Sequence, residues 1–93
     1  MSKDYKLVLT PQAHRMYKKL TAAVKSQCLA ALDRIKKDPS IGKPLLYHLK
    51  GYLSFGTASY RIVYKVELKR ILVIVVAIGH RREIYDKLKK LLK

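Results

Sequence analysis

Residues 59–85 read SYRIVYKVELKRILVIVVAIGHRREIY, and this stretch decides the fold. Tyr60, Ile62, Tyr64 and Val66 alternate with Arg61, Val63 and Lys65, the period of a strand with one apolar face and one basic face. Glu67 to Arg70 supplies a charged turn. Ile71 to Ile78 is apolar at every position, the pattern of a central strand covered on both sides. Gly79 ends that strand, and a helix is expected from about Arg82. Glu83 and Asp86 are favourable in its first turn, and Ile84, Leu88 and Leu91 lie along one side.

A two-residue loop at Leu68 and Lys69 would set Glu67 opposite Arg70, Lys65 opposite Leu72, Val63 opposite Ile74 and Arg61 opposite Val76. Gly79 then falls opposite Ala58, and Arg81 lies just beyond the end of the strand that carries Arg61. In that register two guanidinium groups converge on one phosphate-sized space. The geometry depends on the turn length, because a one-residue slip moves every side chain to the other face.

Working outward, Tyr5, Leu7 and Leu9 suit a short first strand. Thr10-Pro11 marks a helix start, since Thr caps free amides and Pro fits the first helical position. Ala13, Met16, Tyr17 and Leu20 give this helix one apolar face. Thr21 caps a second helix whose inner face is Val24, Cys28, Ala31, Leu32 and Ile35, ended by Asp38-Pro39. Gly42, Pro44 and Gly51 mark an irregular segment, after which Tyr52 to Phe55 forms a short strand. The fold class is α+β: a small antiparallel β-sheet with an N-terminal helical hairpin packed on it and a C-terminal helix, in the order β-α-α-β-β-β-α. No second domain is visible, so residues 1–93 read as a single domain.

Composition narrows the function. The 93 residues carry 21 Lys and Arg against six Asp and Glu, a formal charge of +15. Such a surface attracts polyanions. The hydrophobic fraction of 49% excludes a disordered basic tail. A chain of this size supports one small core and no enclosed active-site cavity. The longest apolar run, Ile71 to Ile78, is far short of the roughly 20 residues of a spanning helix, so no membrane partner is expected. One cysteine and no secretory apolar region point to a reducing cytoplasm. Cys28 reads as a buried thiol and His14 as a surface residue. The three His, one Cys and six acids show no ligand spacing, so neither a metal nor a small-molecule cofactor is expected.

The element order, Ser59-Tyr-Arg-Ile-Val-Tyr64, Gly79-His-Arg-Arg-Glu-Ile-Tyr85, Asp38-Pro39 and Leu45-x-x-x-Leu-Lys-Gly51 together resemble the RelE/ParE superfamily of type II toxins. The resemblance covers almost the whole chain. It implies a small sheet, a helical hairpin on one side, a mobile C-terminal helix and a cognate antitoxin that wraps the toxin. RelE-like members are ribosome-dependent endonucleases that cut mRNA, whereas ParE-like members poison DNA gyrase. The RelE-like branch fits the charge and the His-Arg-x-x-x-Tyr ending better. A gyrase inhibitor, or a non-catalytic basic nucleic-acid-binding module, is the alternative.

Metal-free RNA cleavage needs a base for the 2′-hydroxyl, donors for the developing phosphorane charge and an acid for the leaving oxygen. By resemblance, Arg61 and Arg81 match phosphate-stabilising or leaving-group positions, and Tyr85 an aromatic position that stacks on or activates the nucleotide. The chain departs from the family at Tyr52, Leu53, Ser54 and Phe55, where RelE-like enzymes carry basic residues. His80, His48 and Lys50 are the candidate replacements. His80 is preferred, since an imidazole suits proton transfer near neutrality and it adjoins Arg81. Lys43, Lys50, Lys65, Arg82, Lys87 and Lys90 are the expected contacts to mRNA and rRNA, with Lys89 and Lys93 on the same last helix.

Overall fold

A computed structural model describes residues 4–91; Lys93 lies outside them. Strands β1 (Lys6–Leu9), β2 (Lys43–Pro44), β3 (Leu53–Thr57), β4 (Tyr60–Glu67) and β5 (Leu72–His80) form one sheet in the order β1-β5-β4-β3-β2. Helices α1 (Pro11–Lys18), α2 (Ala22–Lys37) and α3 (Ile84–Leu91) complete the chain. The expected α+β architecture holds. Two details are new: the two-residue β2, and the parallel pairing of β1 with β5 in a sheet otherwise antiparallel. Parallel pairing follows from connectivity, because the helical hairpin carries the chain across one face before β2 begins.

Local chemistry sets the helix ends as expected. The Thr10 hydroxyl accepts from the Ala13 amide at 3.2 Å and Pro11 takes the first helical position; the Thr21 hydroxyl accepts from the Val24 amide at 3.3 Å. Asp38 ends α2, and its carboxylate accepts from both the amide and the hydroxyl of Ser40.

The sheet separates two apolar cores. Ala13, Cys28, Ala31, Leu32 and Ile35 of the hairpin pack on Ile62, Tyr64, Val73, Val75 and Ile78. On the other face Ile84 and Leu88 of α3 pack on Val63, Val76 and Ala77, with Leu49 beside them. Ile84 and Leu88 are fully buried, so α3 is docked in this structure. Each such aliphatic side chain contributes about 1.5–3 kcal/mol relative to exposure. Burial raises the pKa of the Cys28 thiol, which suits a packing residue rather than a nucleophile.

The β4–β5 register corrects the sequence-based one. Glu67 pairs with Leu72, not Arg70, because the connection runs from Leu68 to Ile71, with a helical turn at Leu68–Arg70 and Ile71 in the left-handed region at φ 49°. A β-bulge then inserts Val76, so that Tyr64 pairs with Val75 while Val63 pairs with Ala77. Val76 and Ala77 consequently face the same core. Turn and bulge together bring Gly79 opposite Arg61 and His80 opposite Tyr60.

Candidate nucleic-acid interface

The bulge re-phases the end of β5. Beyond it, Ala77 and Gly79 lie on the α3 face with Arg61 and Val63, while Ile78 and His80 turn to the hairpin face with Tyr60 and Ile62. Arg61 is half-buried between two glycines in neighbouring strands, Gly56 on β3 and Gly79 on β5. Its guanidinium lies across Gly56, where an added Cβ would stand 2.5 Å from a guanidinium nitrogen, and it donates to the Tyr60 carbonyl at 3.1 Å. At Gly79 an added Cβ would stand 3.0 Å from Ile84 Cδ1, so that glycine lets α3 approach the sheet.

An open cleft of about 550 Å³ lies over this end of the sheet, lined by Lys43, Ser54, Gly56, Arg61 and Tyr85 and rimmed by Ile41, Leu45 and Ala58. Tyr85 is half-buried, its hydroxyl 3.3 Å from that of Ser54. Lys43 is exposed and pairs across the sheet with Ser54. Its position follows from Tyr64, whose buried hydroxyl donates to the Pro39 carbonyl at 2.5 Å and accepts from the Gly42 amide at 3.0 Å. Two cations and no carboxylate line the cleft.

The structure joins Arg61 to Tyr85 and adds Lys43, which the sequence marked only as an RNA contact. It does not join His80 to them. His80 stacks edge-on against Tyr60 at 5.6 Å, lines a separate cleft with Met16, Lys19 and Glu83, and accepts the Arg82 amide on Nδ1 at 3.2 Å. That bond fixes the other nitrogen as the protonated one in neutral His80, a turn-capping arrangement. Arg81 follows the strand end, exposed and outside the cleft lining, its amide donating to the Ser59 carbonyl at 2.7 Å. Arg61 therefore shares the cleft lining with Lys43, and Arg81 stands outside that lining.

The remaining basic candidates spread over the α3 face and its surroundings. Lys65 is half-buried on β4 on the same face as Arg61; Lys50 is exposed after a helical turn at Tyr47–Leu49; Arg82 is exposed before α3. Lys87 pairs with Glu83 at 3.5 Å, and Lys87 and Lys90 share a groove with Arg15 of α1 and Lys19 just after it. Ser54 and the two glycines beside Arg61 were missed in the sequence. Glycines at 56 and 79, each breaking a strand-like run, were the legible signal. Among the described residues no three His, Cys, Asp or Glu side chains gather as a metal site, and no helix is long and apolar enough to cross a membrane.

A five-stranded sheet with a helical hairpin on one face and a short C-terminal helix on the other, beside an open basic cleft, defines a small α+β toxin of the RelE/ParE type. The chain matches the family described as ParE toxin of type II toxin-antitoxin system over residues 7–85 and belongs to it. It is 29% identical over 72 residues to toxin RelG of Mycobacterium tuberculosis, covering 77% of this chain and 80% of that protein. Its fold superposes with a TM-score of 0.78 on a chain of the M. tuberculosis RelBE2 toxin-antitoxin complex, at 25% identity over 83% of this chain and 91% of that one. The isolated Escherichia coli RelE toxin gives 0.72 at 25% identity, over 96% and 99% of the two chains.

Proposed function

We propose that this toxin inhibits translation as a metal-independent, ribosome-dependent mRNA endonuclease in the cytoplasm, held inactive by a cognate antitoxin. The observation that carries the reading is the shared cleft of Arg61, Lys43 and Tyr85. Arg61, anchored across Gly56, donates to the scissile phosphate as negative charge builds on it. Lys43, in the same cleft lining, neutralises the same group, and Arg81 reaches the strand from its end. Tyr85 stacks on the nucleotide 5′ or 3′ to the cut, its hydroxyl oriented by Ser54. Lys50, Lys65, Arg82, Lys87 and Lys90 grip mRNA and rRNA phosphates. The similarity to toxin RelG and to RelE structures supports this branch. The complex formed by RelBE2 supports an antitoxin partner.

The test is direct. Purified toxin added to programmed ribosomes should leave discrete cuts in the A-site codon, and Arg61→Ala should strongly reduce them. Full translation arrest with intact mRNA would sink the nuclease reading. The family description as a ParE toxin favours one second reading, inhibition of DNA gyrase. A supercoiling assay separates the two, because the ribosome-directed toxin leaves that reaction untouched.

A further inference from the structure

Residues 45–52 form a loop tied at both ends. The Leu45 amide donates to the Tyr52 carbonyl at 2.9 Å, the Tyr52 amide to the Leu49 carbonyl at 3.2 Å, and the Lys50 amide to the Tyr47 carbonyl at 3.0 Å. Leu49 is buried in the same core as Leu45, Tyr52 and Tyr85. A loop closed this way holds its outer residues in place. Those residues are Leu46, 68% exposed, and Tyr47, 88% exposed.

Tyr47 sits at φ 57°, in the left-handed region that a side chain with a Cβ enters only at a cost. Its ring belongs to neither apolar core. For folding alone, glycine would serve better at this position. The strained backbone leaves an aromatic ring open to solvent, where a ligand can reach it.

The surroundings fix the chemistry of that ligand. Leu45 lines the cleft that holds Arg61 and Lys43, and Tyr47 lies only two positions further along, about 7.6 Å of chain at most. His48 and Lys50 follow Tyr47 in the same loop, and no Asp or Glu occurs from Pro39 to Val66. An aromatic platform beside an acid-free groove is how proteins hold single strands: cations track the backbone and the ring takes a base.

We propose that Tyr47 is a stacking platform for an unpaired base of single-stranded RNA whose neighbouring phosphate lies against Lys43 and Arg61. The proposal rests on the RNA-directed reading above and deepens it, adding a contact outside the cleft. Stacking accepts every base, so Tyr47 contributes affinity and positions the strand without choosing its sequence.

The chain contains no tryptophan, so Tyr47→Trp places a single fluorescent reporter at the site. The full-length variant is titrated at low salt with a short single-stranded RNA, with an abasic strand of equal length, and with poly-glutamate. RNA should quench the reporter, and the abasic strand should bind without quenching. Tyr47→Ala should weaken RNA binding about tenfold or more and leave the abasic affinity unchanged. Tyr47→Gly should show the same loss with a raised thermal midpoint, which separates lost binding from misfolding. RNA binding without quenching, equal losses for both strands, or no RNA binding at all overturns the proposal. Quenching by poly-glutamate as strong as by RNA assigns the ring to an acidic protein partner and overturns it too. The ribosome assay decides the nuclease reading separately: a chain that cuts mRNA without quenching keeps its function and loses the platform.

Discussion

The hydroxyls of Ser54 and Tyr85 stand 3.3 Å apart, joining the third strand to the last helix across the cleft. Ser54 is buried and Tyr85 half-buried, so this contact fixes where the phenol points. Ser54→Ala should lower stability by about 0.5–1.5 kcal/mol, the worth of one ordinary hydrogen bond. Cleavage on ribosomes should fall further than that loss explains, because Tyr85 is freed to rotate. Chemical denaturation run beside the cleavage assay checks both; equal activity in the variant would show that the tether does not orient Tyr85.

Arg61 and His80 should separate cleanly. Arg61→Ala is expected to cut cleavage by about 10²–10³-fold, as for loss of a preorganised donor to a developing anion. Its stability should change by less than about 1 kcal/mol. His80→Ala should do the reverse: it removes the acceptor of the Arg82 amide and the contact with Tyr60, costing roughly 1 kcal/mol, with cleavage near wild type. A strong cleavage defect in His80→Ala would return that residue to the chemistry.

Tyr64 gives the protein an alkaline limit. Burial raises its pKa; the Gly42 amide opposes that shift and the Asp38 charge adds to it. In the unfolded chain the phenol ionises near 10, and in the folded protein it holds its proton to higher pH. The folded state therefore binds more protons in that window, so this contribution is intact below pH 10 and is lost as pH rises toward the folded value. Cys28 acts with the same sign from a lower starting point. Stability followed from pH 8 to about 11 should fall more steeply in wild type than in Tyr64→Phe.

Gly42 and Tyr64 should be coupled. An added Cβ at Gly42 would overlap the Tyr64 hydroxyl oxygen and stand 3.0 Å from Leu53 Cβ. Gly42→Ala should destabilise by about 1–3 kcal/mol through overpacking. Tyr64→Phe alone should cost about 1–3 kcal/mol by leaving the Gly42 amide and Pro39 carbonyl unpaired. The double variant should cost less than the sum, since removing the hydroxyl relieves the clash. A double-mutant cycle with strict additivity would contradict this packing.

Ile71 is the least comfortable residue of the β4–β5 turn. A β-branched side chain at φ 49° is strained, and Asn tolerates that conformation. Because Ile71 is 44% exposed, little packing is lost, and Ile71→Asn should raise stability by about 0.5–1 kcal/mol in thermal unfolding.

Much of this protein was legible in its sequence. The Thr10 and Thr21 caps, the apolar faces of the helices and the two central strands depend on local preference and short-range periodicity, which a sequence displays directly. The toxin family was legible too, because it is carried by Arg and Tyr at particular positions in that order. What the tertiary structure alone decided was which residues share a face. The two extra residues of the turn and the bulge at Val76 leave the apolar pattern of Ile71 to Ile78 unchanged, since a strand covered on both sides gives no sign of its phase. Those features moved Gly79 opposite Arg61 and His80 to the far side of the sheet. Lys43 reached the cleft through a buried Tyr64 hydroxyl more than twenty residues further along the chain, a distance over which periodicity carries no information.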